Sequence, residues 1–401
     1  MSAASFPVER VPKEAVLSGA IWRAAAAPAI DIPSVLEAGP HRFTHRGCTA
    51  IALALEHAGI GPGDEVLLPA YHCIAMVEPV VWRGATARFY RVGPDTTIDP
   101  DDLRASIGPA TRAVLVPHYF GFPQDAPALA ALCRERGVLL IEDCAHTFFG
   151  RIAGKPVGSF GDYAIASPWK FFPTIDGGVL ASAHRDLSSI AFDGPGAGFD
   201  AKILVNSFER ALAFHRLGAA RYVLGPLLHA KDALLGRLKG SDATRAAADA
   251  SVAGGETPAG TAPVFEAARA HWRMTATSRL IVRWSSRTGL IERRRRNYAT
   301  LAGLLAGLPG IAPLFPRLPD DVVPQVVPMR MADPEAVFPV LKRAGVPIIR
   351  FGEFLWPTMD AGGFPDTVDL SRRIFQFPCH QDLADDEIRW IAAEVARALV
   401  R

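Results

Sequence analysis

The run VLLIED at residues 138–143 decides the fold class, because it joins four apolar residues to two carboxylates. An uninterrupted apolar run is typical of a strand that is covered on both faces, as in a parallel sheet between helices. Further strand-like runs are found at 65–69, 86–92, 113–117, 163–167 and 178–182, with helical patterns at 49–58 and 127–136. This alternation predicts an α/β fold with a mostly parallel sheet.

Two of these strands end on polar side chains, Asp143 and Ser167. Ligands of open α/β sheets bind beyond the carboxyl ends of the strands. Lys170 follows Ser167 by three residues, and its neighbours Trp169 and Phe171 are aromatic. Apolar surroundings lower the pKa of a lysine and make its amine a better nucleophile.

An amine that follows a strand-borne aspartate is the minimal equipment for pyridoxal 5′-phosphate (PLP) chemistry. The lysine can form a Schiff base with the aldehyde, and the aspartate can keep the pyridine nitrogen protonated so that the ring accepts electrons. Taken singly, Asp143 could cap the next element and Lys170 could lie on the surface. Their order and spacing, with Gly177-Gly178 seven and eight residues after the lysine, favour the PLP interpretation.

A second candidate feature, Gly47-Cys48-Thr49, precedes the first predicted helix. A small-residue turn at a helix N-terminus offers backbone N–H groups and a hydroxyl to a phosphate. Thr49 could instead be an ordinary N-cap, and the downstream Asp143 and Lys170 make the phosphate interpretation preferable. His146 would then face the phenolic oxygen or the ring of the cofactor, or it could be a structural histidine.

The composition excludes several classes of protein. The 401 residues can form one large and one smaller domain. Lys plus Arg total 43 against 41 for Asp plus Glu, so no charge excess indicates nucleic acid. The five cysteines show no metal-binding spacing and suit a reducing compartment. The cysteine spacing gives no reason to expect a metal. We expect a cytoplasmic protein, because no signal peptide is apparent and no apolar stretch reaches the ~20 residues of a membrane span.

The pattern changes after residue 183. Residues 208–239 are helical in character, 240–263 are rich in Ala, Gly, Ser and Thr, and 280–305 predict one long helix. Residues 310–401 alternate strands and helices again and end in an amphipathic helix at 385–400. We predict an N-terminal arm and a large PLP-binding domain over 1–279, with a variable segment at 183–275, and a small C-terminal domain over 280–401.

Two basic segments have alternative interpretations. Arg293–Arg296 is predicted to form a solvated helix face rather than a nucleic-acid site, because the net charge is balanced. The basic, Leu-rich stretch 208–239 is predicted to pack as a core or lid helix pair rather than to lie on a membrane surface.

With these residues placed, the chain resembles the DegT/DnrJ/StrS-type aminotransferases, which are PLP enzymes of the aspartate aminotransferase fold. The resemblance is clearest from residue 45 to 182. It is carried by motifs at 59–66, 84–86, 98–100, 157–162, 176–178 and 377–383. The resemblance implies a large domain with a mixed, mainly parallel seven-stranded sheet and a smaller C-terminal α/β domain.

The resemblance also implies roles for individual residues. The positions that match the family's motifs are Gly47, Cys48 and Thr49 for the phosphate turn, Asp143 for the pyridine nitrogen, Ser167 for the phosphate and Lys170 for the Schiff base. His146 stands where the family usually has Gln.

The chain departs from the family at three places. Cys73 holds the position where the family usually places an aromatic residue over the PLP ring. Tyr71 or His72 could replace it; we favour His72, because an imidazole both stacks and hydrogen-bonds, although both could simply pack under the domain. The interval from Ser167 to Lys170 is two residues shorter than usual, and the asparagine-rich segment that commonly reaches the partner's cofactor is not recognisable.

The resemblance therefore implies amino transfer from an amino acid, glutamate, to a keto-sugar or related carbonyl compound through a Lys170 Schiff base. It further implies a homodimer with small-molecule substrates and no nucleic acid. Two alternatives stay open. The first is PLP-dependent elimination, dehydration or other carbanion chemistry on the same fold. The second is a non-catalytic binding protein with this fold.

Overall fold

The computed structural model describes residues 6–24, 31–223, 225 and 264–400. Its central feature is a seven-stranded sheet with the order β1-β9-β8-β5-β4-β2-β3. The strands are β1 (His41–Thr44), β2 (Glu65–Pro69), β3 (Thr86–Tyr90), β4 (Thr111–Pro117), β5 (Leu139–Asp143), β8 (Tyr163–Ala166) and β9 (Gly178–Ala181). A small hairpin of β6 (Arg151–Ile152) and β7 (Lys155–Pro156) lies between β5 and β8 in the chain.

The sheet is mainly parallel, as predicted. Strands β3, β2, β4, β5 and β8 are parallel neighbours, and β9 is antiparallel to both β8 and β1. The register pairs Asp143 with Ile165, two residues before Ser167. The carboxyl ends of β5 and β8 therefore lie side by side, and the predicted site residues are placed at one edge of the sheet.

Helices cover this sheet and continue to the C-terminus. They are α1 (Gly47–His57), α2 (Ile74–Trp82), α3 (Pro100–Ser106), α4 (Ala126–Arg136), α5 (Ala197–Ala213), α6 (Ala276–Trp284), α7 (Arg287–Leu305), α8 (Pro334–Arg343), α9 (Pro365–Arg373) and α10 (Asp385–Leu399). All of α1 except its last two residues is buried. None of the described helices is long and apolar enough to cross a membrane.

A second, four-stranded sheet lies within residues 280–401. Its strands are antiparallel in the order β10-β11-β13-β12: β10 (Ile311–Pro313), β11 (Val326–Met331), β12 (Ile349–Arg350) and β13 (Ile374–Pro378). One hydrophobic cluster joins side chains near both sheets, among them Tyr71, Tyr119 and Phe351. The predicted boundary between residues 279 and 280 stays a prediction.

The single long helix predicted at 280–305 is wrong, because two helices occupy this stretch. The chain is extended at Ser285 and Ser286, between α6 and α7. The Ser286 hydroxyl accepts the Gly289 N–H at 3.2 Å and so caps α7. Serine favours such caps, which explains the break inside a helical pattern.

The segment of helical character predicted at 208–239, with an interruption at Gly225-Pro226, is also corrected in its described part. Helix α5 begins earlier and ends at Ala213, and His215 has a left-handed φ of 56° that a continuing helix excludes. The remainder of this prediction beyond residue 225, and the loop predicted at 240–263, lie outside the described residues.

The arginine run in α7 is not a solvated face, contrary to the prediction. Arg294 has no exposed surface, and Arg293 and Arg295 are partly buried. Arg293 donates to the Gln381 carbonyl at 2.7 Å. The balanced net charge of the chain does not show that these arginines are buried. Arg293, Arg294 and Arg295 donate hydrogen bonds to neighbouring backbone carbonyls instead of facing solvent.

The N-terminal arm is fastened to the C-terminal motif. The Val16 N–H donates to Asp382 Oδ2 at 3.1 Å, and the Ser18 hydroxyl donates to the other oxygen of Asp382. His380 Nε2 is 2.8 Å from the carbonyl oxygen of Pro12. These buried bonds hold the arm against the chain's last strand and helix.

Candidate active site

A cavity lies at the carboxyl ends of β5 and β8 and brings together most of the predicted site residues. Those that line it are Gly47, Cys48, Cys73, Asp143, His146, Ser167 and Lys170. Arg46 at the start of α1 and Trp169 in the turn after β8 also line it. Further lining residues come from the N-terminal arm, the chain after residue 263 and the region of the second sheet, among them Glu14, Val264, Gln325, Phe351 and Gln376.

Lys170 ends a short 3₁₀ turn, Pro168–Lys170, that follows β8. Its N–H donates to the Ser167 carbonyl at 3.2 Å. The side chain is half-buried, and Nζ lies 5.6 Å from the centroid of the Trp169 ring. The amine is therefore held at the cavity wall in largely apolar surroundings.

Asp143 ends β5 and is 3% exposed. Its Oδ1 accepts the Ala145 N–H at 2.8 Å. Burial raises the pKa of the Asp143 carboxyl, while the Ala145 N–H and the nearby Lys170 charge act in the opposite direction. No hydrogen bond from the described residues reaches Oδ2, so the buried carboxylate has capacity for a cationic partner.

A buried network stands behind Asp143. Glu142 accepts three backbone N–H groups, from Gly158, Phe160 and Gly161 at 3.2, 2.7 and 2.6 Å. His118 Nε2 lies 3.2 Å from the same carboxylate, and His118 Nδ1 accepts the Gln124 N–H at 3.0 Å. This assigns the imidazole proton to Nε2. Cys144 lies close to His118 and Glu142. Because the Glu142 carboxylate already accepts these hydrogen bonds, the three residues form a structural network rather than a metal site.

The predicted phosphate turn sits at the N-terminus of α1. Arg46 is the N-cap, and its side chain makes no capping hydrogen bond. A Cβ at Gly47 would overlap the Ser167 hydroxyl. Glycine is therefore needed at position 47 for the hydroxyl to lie against the start of the helix, and a hydroxyl at a helix N-terminus suits an anion.

These residues fit PLP. A half-buried amine, a buried carboxylate with one free oxygen, and a hydroxyl beside a helix N-terminus share one cavity: Lys170, Asp143 and Ser167. They match the aldehyde, the ring nitrogen and the phosphate of the cofactor.

His146 lines the same cavity in an aromatic setting. Its ring stacks on Phe120, with centroids 5.7 Å apart and planes at 24°, and meets the edge of Phe351 at 5.0 Å. The Phe120 N–H points to Nδ1 at 3.4 Å. Burial and the Lys170 charge hold the pKa of His146 well below its usual value. The neutral ring then carries its proton on Nε2, which leaves a donor rather than a cation.

The proposal that His72 covers the ring is not supported and is corrected. His72 has no exposed surface, its Nδ1 is 2.7 Å from the Ala70 carbonyl, and its Nε2 accepts the Trp356 N–H at 2.9 Å. Its ring stacks on Phe89, with centroids 4.7 Å apart. Neither His72 nor Tyr71 is among the described residues that line the cavity, whereas Cys73 is.

The sequence patterns missed several cavity residues and included two of the described residues that do not line it, His72 and Thr49. Thr49 is buried and, in the part of the chain that the structure describes, does not line the cavity. Glu14, Gln325 and Gln376 reach the cavity from distant parts of the chain, so no local pattern indicates them. Arg46 directly precedes the phosphate turn, and this adjacency could have identified it.

Comparison with known proteins supports the recognition made from sequence. Residues 43–200 match the model of the DegT/DnrJ/EryC1/StrS aminotransferase family. A UDP-N-acetyl-3-dehydro-alpha-D-glucosamine 3-aminotransferase of Acidithiobacillus ferrooxidans is 38% identical over 156 residues, which are 35% of this chain and 39% of that protein. A dTDP-4-dehydro-2,3,6-trideoxy-D-glucose 4-aminotransferase of Saccharopolyspora spinosa is 38% identical over 150 residues, with 36% and 39% covered. The match thus spans about two fifths of the length of these relatives.

Solved structures extend the likeness along most of the chain. The PLP form of a putative sugar aminotransferase, Spr1654 of Streptococcus pneumoniae, has a TM-score of 0.64 at 19% identity, covering 91% of this chain and 88% of that one. The aminotransferase TlmJ of Streptoalloteichus hindustanus has a TM-score of 0.57 at 23% identity, with 90% and 86% covered. The predicted fold is confirmed, and the resemblance to the family is confirmed for the segment that contains the cavity's central residues.

Proposed function

We propose that this chain, whose residues 43–200 match the DegT/DnrJ/EryC1/StrS aminotransferase family, is a PLP-dependent aminotransferase. It transfers an amino group from an amino acid, glutamate, to a keto-sugar or related carbonyl compound. The observation that carries the proposal is the convergence of Lys170, Asp143 and Ser167 in one cavity.

Lys170 has two tasks in this proposal. When bound, PLP supplies an electron sink for negative charge on the α-carbon of the donor. Lys170 would hold the cofactor covalently and would be released when the donor's amine replaces it. The freed Nζ would then move the proton from the donor's α-carbon to the aldehyde carbon of the cofactor, and in the second half-reaction it would take that proton back and deliver it to the former carbonyl carbon of the acceptor. The two half-reactions give ping-pong kinetics.

The other residues bind and orient the cofactor. Asp143 pairs with the ring nitrogen and keeps it protonated, and burial in a low-dielectric wall strengthens that pair. The Ser167 hydroxyl and the N-terminus of α1 at Gly47 and Cys48 hold the phosphate. His146 donates its Nε2 proton to the phenolic oxygen, at the position where the family usually has Gln.

The acceptor class rests on the relatives and on the composition of the cavity wall. The relatives above are named for amino transfer to keto sugars attached to nucleotides. Gln325, Gln376 and Glu14 line the part of the cavity contributed by the second sheet and the N-terminal arm. Amide and carboxylate groups are suitable partners for the hydroxyl groups of a sugar.

A second candidate reaction is elimination or dehydration on the same carbanion. It is favoured by Cys73, a small side chain that lines the cavity at the position where the family usually has an aromatic residue. Product analysis separates the two reactions, because only amino transfer converts glutamate to its keto acid in step with amination of an acceptor. A protein that binds no PLP and turns over no substrate would support the non-catalytic alternative.

The test is a substrate screen with product analysis. The PLP-loaded protein and Lys170→Ala receive labelled glutamate and a panel of keto-sugar nucleotides and free keto sugars. We expect labelled keto acid and one amino sugar per glutamate with the wild type only. Keto acid formation by Lys170→Ala at the wild-type rate would contradict the proposal.

We also propose a homodimer with its active sites near the subunit interface. Trp22 and Trp284 expose 63% and 62% of their surface, and the Ser286 N–H bonds to the Ile21 carbonyl at 2.6 Å, so the two tryptophans belong to one region. Exposed apolar surface of this kind suits an interface. Sedimentation should give twice the monomer mass, and a monomer with full activity at high dilution would contradict the dimer.

A reducing, cytoplasmic environment completes the proposal. All five cysteines are free thiols, and four of them are buried. Thiols without disulfides suit a compartment that keeps them reduced. Fractionation of the cells that produce the protein tests this location.

A further inference from the structure

Arg294 is a charged side chain in the interior, on the face of α7 that packs against the Lys170 turn. It has no exposed surface. Its guanidinium donates five hydrogen bonds, to the carbonyl oxygens of Lys170 (2.8 Å), Phe171 (3.3 Å), Pro324 (3.3 Å) and Gln325 (3.0 Å) and to Oε1 of Gln381 (3.1 Å). The whole donor fork is therefore used.

All five acceptors are uncharged oxygens. Burial lowers the pKa of the Arg294 guanidinium to about 10, so it remains a cation at neutral pH. A buried cation without a hydrogen-bonded carboxylate is expensive, and an apolar side chain of similar volume would fill the space at lower cost. The role of Arg294 must then lie in the backbone segments that its hydrogen bonds hold in place.

Two of the acceptors flank the candidate Schiff-base lysine. The carbonyls of Lys170 and Phe171 both accept hydrogen bonds from Arg294, whose guanidinium stacks 4.6 Å from the centroid of the Phe171 ring. Gln381 Nε2 also donates to the Phe171 carbonyl at 2.9 Å. On the other side of the turn, the Lys170 N–H makes a longer bond of 3.2 Å to Ser167. The C-terminal side of the turn is thus the firmly held one.

The remaining carbonyls, of Pro324 and Gln325, belong to the chain segment before β11, and Gln325 forms part of the cavity wall. Gln325 lines the cavity, and its N–H donates to the Phe120 carbonyl at 2.9 Å. Arg294 therefore joins the lysine turn of the large sheet to the chain segment that leads into β11. One rigid group sets the separation between the amine's backbone and this wall.

We propose that Arg294 is a positioning residue for Lys170: its planar fork fixes the lysine backbone against the Gln325 wall, so that only the lysine side chain moves during the reaction. The proposal rests on the function assigned to Lys170 above. A lysine at position 294 would keep the charge but could not reach both sides, because an ammonium lacks the fork. A misplaced reacting group loses rate without losing the cofactor.

Arg294→Lys tests the proposal, with Arg295→Lys as a matched control. Arg295 is the next residue of α7 and donates to the carbonyls of Pro319 and Val322, away from the lysine turn. Two properties of the PLP-loaded protein are measured: the single-turnover rate with glutamate, and the pH midpoint of the visible absorbance of the bound cofactor. We expect Arg294→Lys to lose about tenfold or more in rate and to shift the midpoint, and Arg295→Lys to change neither.

Chemical rescue gives a second readout that a loss of stability would not produce. In Arg294→Ala the guanidinium is missing, and added guanidinium chloride at concentrations far below denaturation should restore rate and midpoint, whereas sodium chloride should not. Should Arg294→Ala not fold, the Arg294→Lys comparison decides alone.

The outcomes distinguish this proposal from the function on which it rests. A wild-type protein that takes up no PLP contradicts both. A wild type that binds PLP and turns over, together with an Arg294→Lys variant of normal rate and midpoint, overturns only the role of Arg294. Equal losses in Arg294→Lys and Arg295→Lys would also overturn it, because a general weakening of α7 would then be the cause.

Discussion

Asp143 combines two properties that oppose each other in an isolated carboxylate: it is 3% exposed, and its proposed role requires a negative charge. Burial raises the pKa of Asp143, and a cation at Oδ2 would lower it again. Asp143→Asn keeps the shape but cannot hold the ring nitrogen protonated. We expect PLP to bind and turnover to fall by on the order of 10²-fold or more.

Cofactor absorbance titrations and single-turnover rates check the Asp143 prediction. Asp162→Asn is the control, because Asp162 is a partly exposed carboxylate that pairs with Arg185 at 2.8 Å. Near-normal transamination by Asp143→Asn would remove Asp143 from the mechanism.

Lys170→Ala should abolish covalent attachment and leave weaker, noncovalent binding of PLP. The reason is that Ser167 and the start of α1 are untouched by this change and still offer an anion site. Borohydride reduction followed by peptide mass analysis detects the attached cofactor. Lys155→Ala, which removes an exposed lysine of β7, should still be labelled at Lys170; cofactor fixed elsewhere in Lys170→Ala would show that another amine is used.

The sequence predicted those site residues that follow strands directly. Asp143 ends β5, Ser167 directly follows β8 and Lys170 lies in the turn after it, and the direction of a parallel sheet places such strand ends together. His72 could not be placed in this way, because the direction of a loop side chain is set by its neighbours, here the Ala70 carbonyl and the Trp356 N–H. Arg294 was misjudged for the same reason: a run of charges does not show which member faces inward.

At the scale of elements, the start of α1 depends on a single missing methyl group. Gly47→Ala would drive its Cβ into the Ser167 hydroxyl, so the hydroxyl must move away from the helix N-terminus. We expect PLP affinity to fall by about tenfold, consistent with the loss of roughly one hydrogen bond to a charged group. Fluorescence or absorbance titration with PLP measures the change.

Gly303→Ala is the matched control for this prediction. Gly303 lies in α7 with open space around its Cβ position, so alanine should leave PLP affinity unchanged and favour the helix by up to about 1 kcal/mol. In the double variant Gly47→Ala/Ser167→Gly the overlap is relieved, and its affinity should not fall below that of Gly47→Ala. Unchanged PLP affinity in Gly47→Ala would show that this turn does not bind the phosphate.

Elements with strong local signals were predicted closely. The apolar runs at 65–69 and 138–143 correspond to β2 and β5 within a residue, because buried parallel strands are read from apolar content alone. The break between α6 and α7 was missed, since Ser285 and Ser286 interrupt a helical pattern without a glycine or proline. The N-terminal arm was predicted without its path, because its contacts with Asp382 and His380 span more than 360 residues of sequence.

At the scale of the whole molecule, the contact between the N-terminal arm and the C-terminal motif is made by the buried His380, and His72 is a second buried histidine elsewhere in the chain. Burial lowers the pKa of His380 to about 3 and that of His72 to about 4. Both values are below the ordinary 6.5, so the unfolded chain binds more protons than the folded one at mildly acidic pH. Their contribution to the free energy of unfolding is therefore complete above pH ~6.5 and is lost progressively as the pH falls towards the folded values.

His380→Gln isolates this effect, because an amide can still donate to the Pro12 carbonyl but does not titrate. Between pH 4.5 and 6.5 the free energy of unfolding of the wild type should decrease more steeply with falling pH than that of the variant. The difference in slope should approach 1.4 kcal/mol per pH unit, the value for one proton.

Urea unfolding at several pH values measures it, and His184→Gln, at an exposed position, should keep the wild-type slope. The Asp382 N–H donates to Nδ1 of the same imidazole at 3.3 Å, and burial raises the pKa of the Asp382 carboxyl, whose opposite contribution is present in both proteins and largely cancels in the comparison. Equal slopes in wild type and His380→Gln would mean that His380 is protonated in the folded protein, and the arm would then be held by a charged contact rather than by a neutral one.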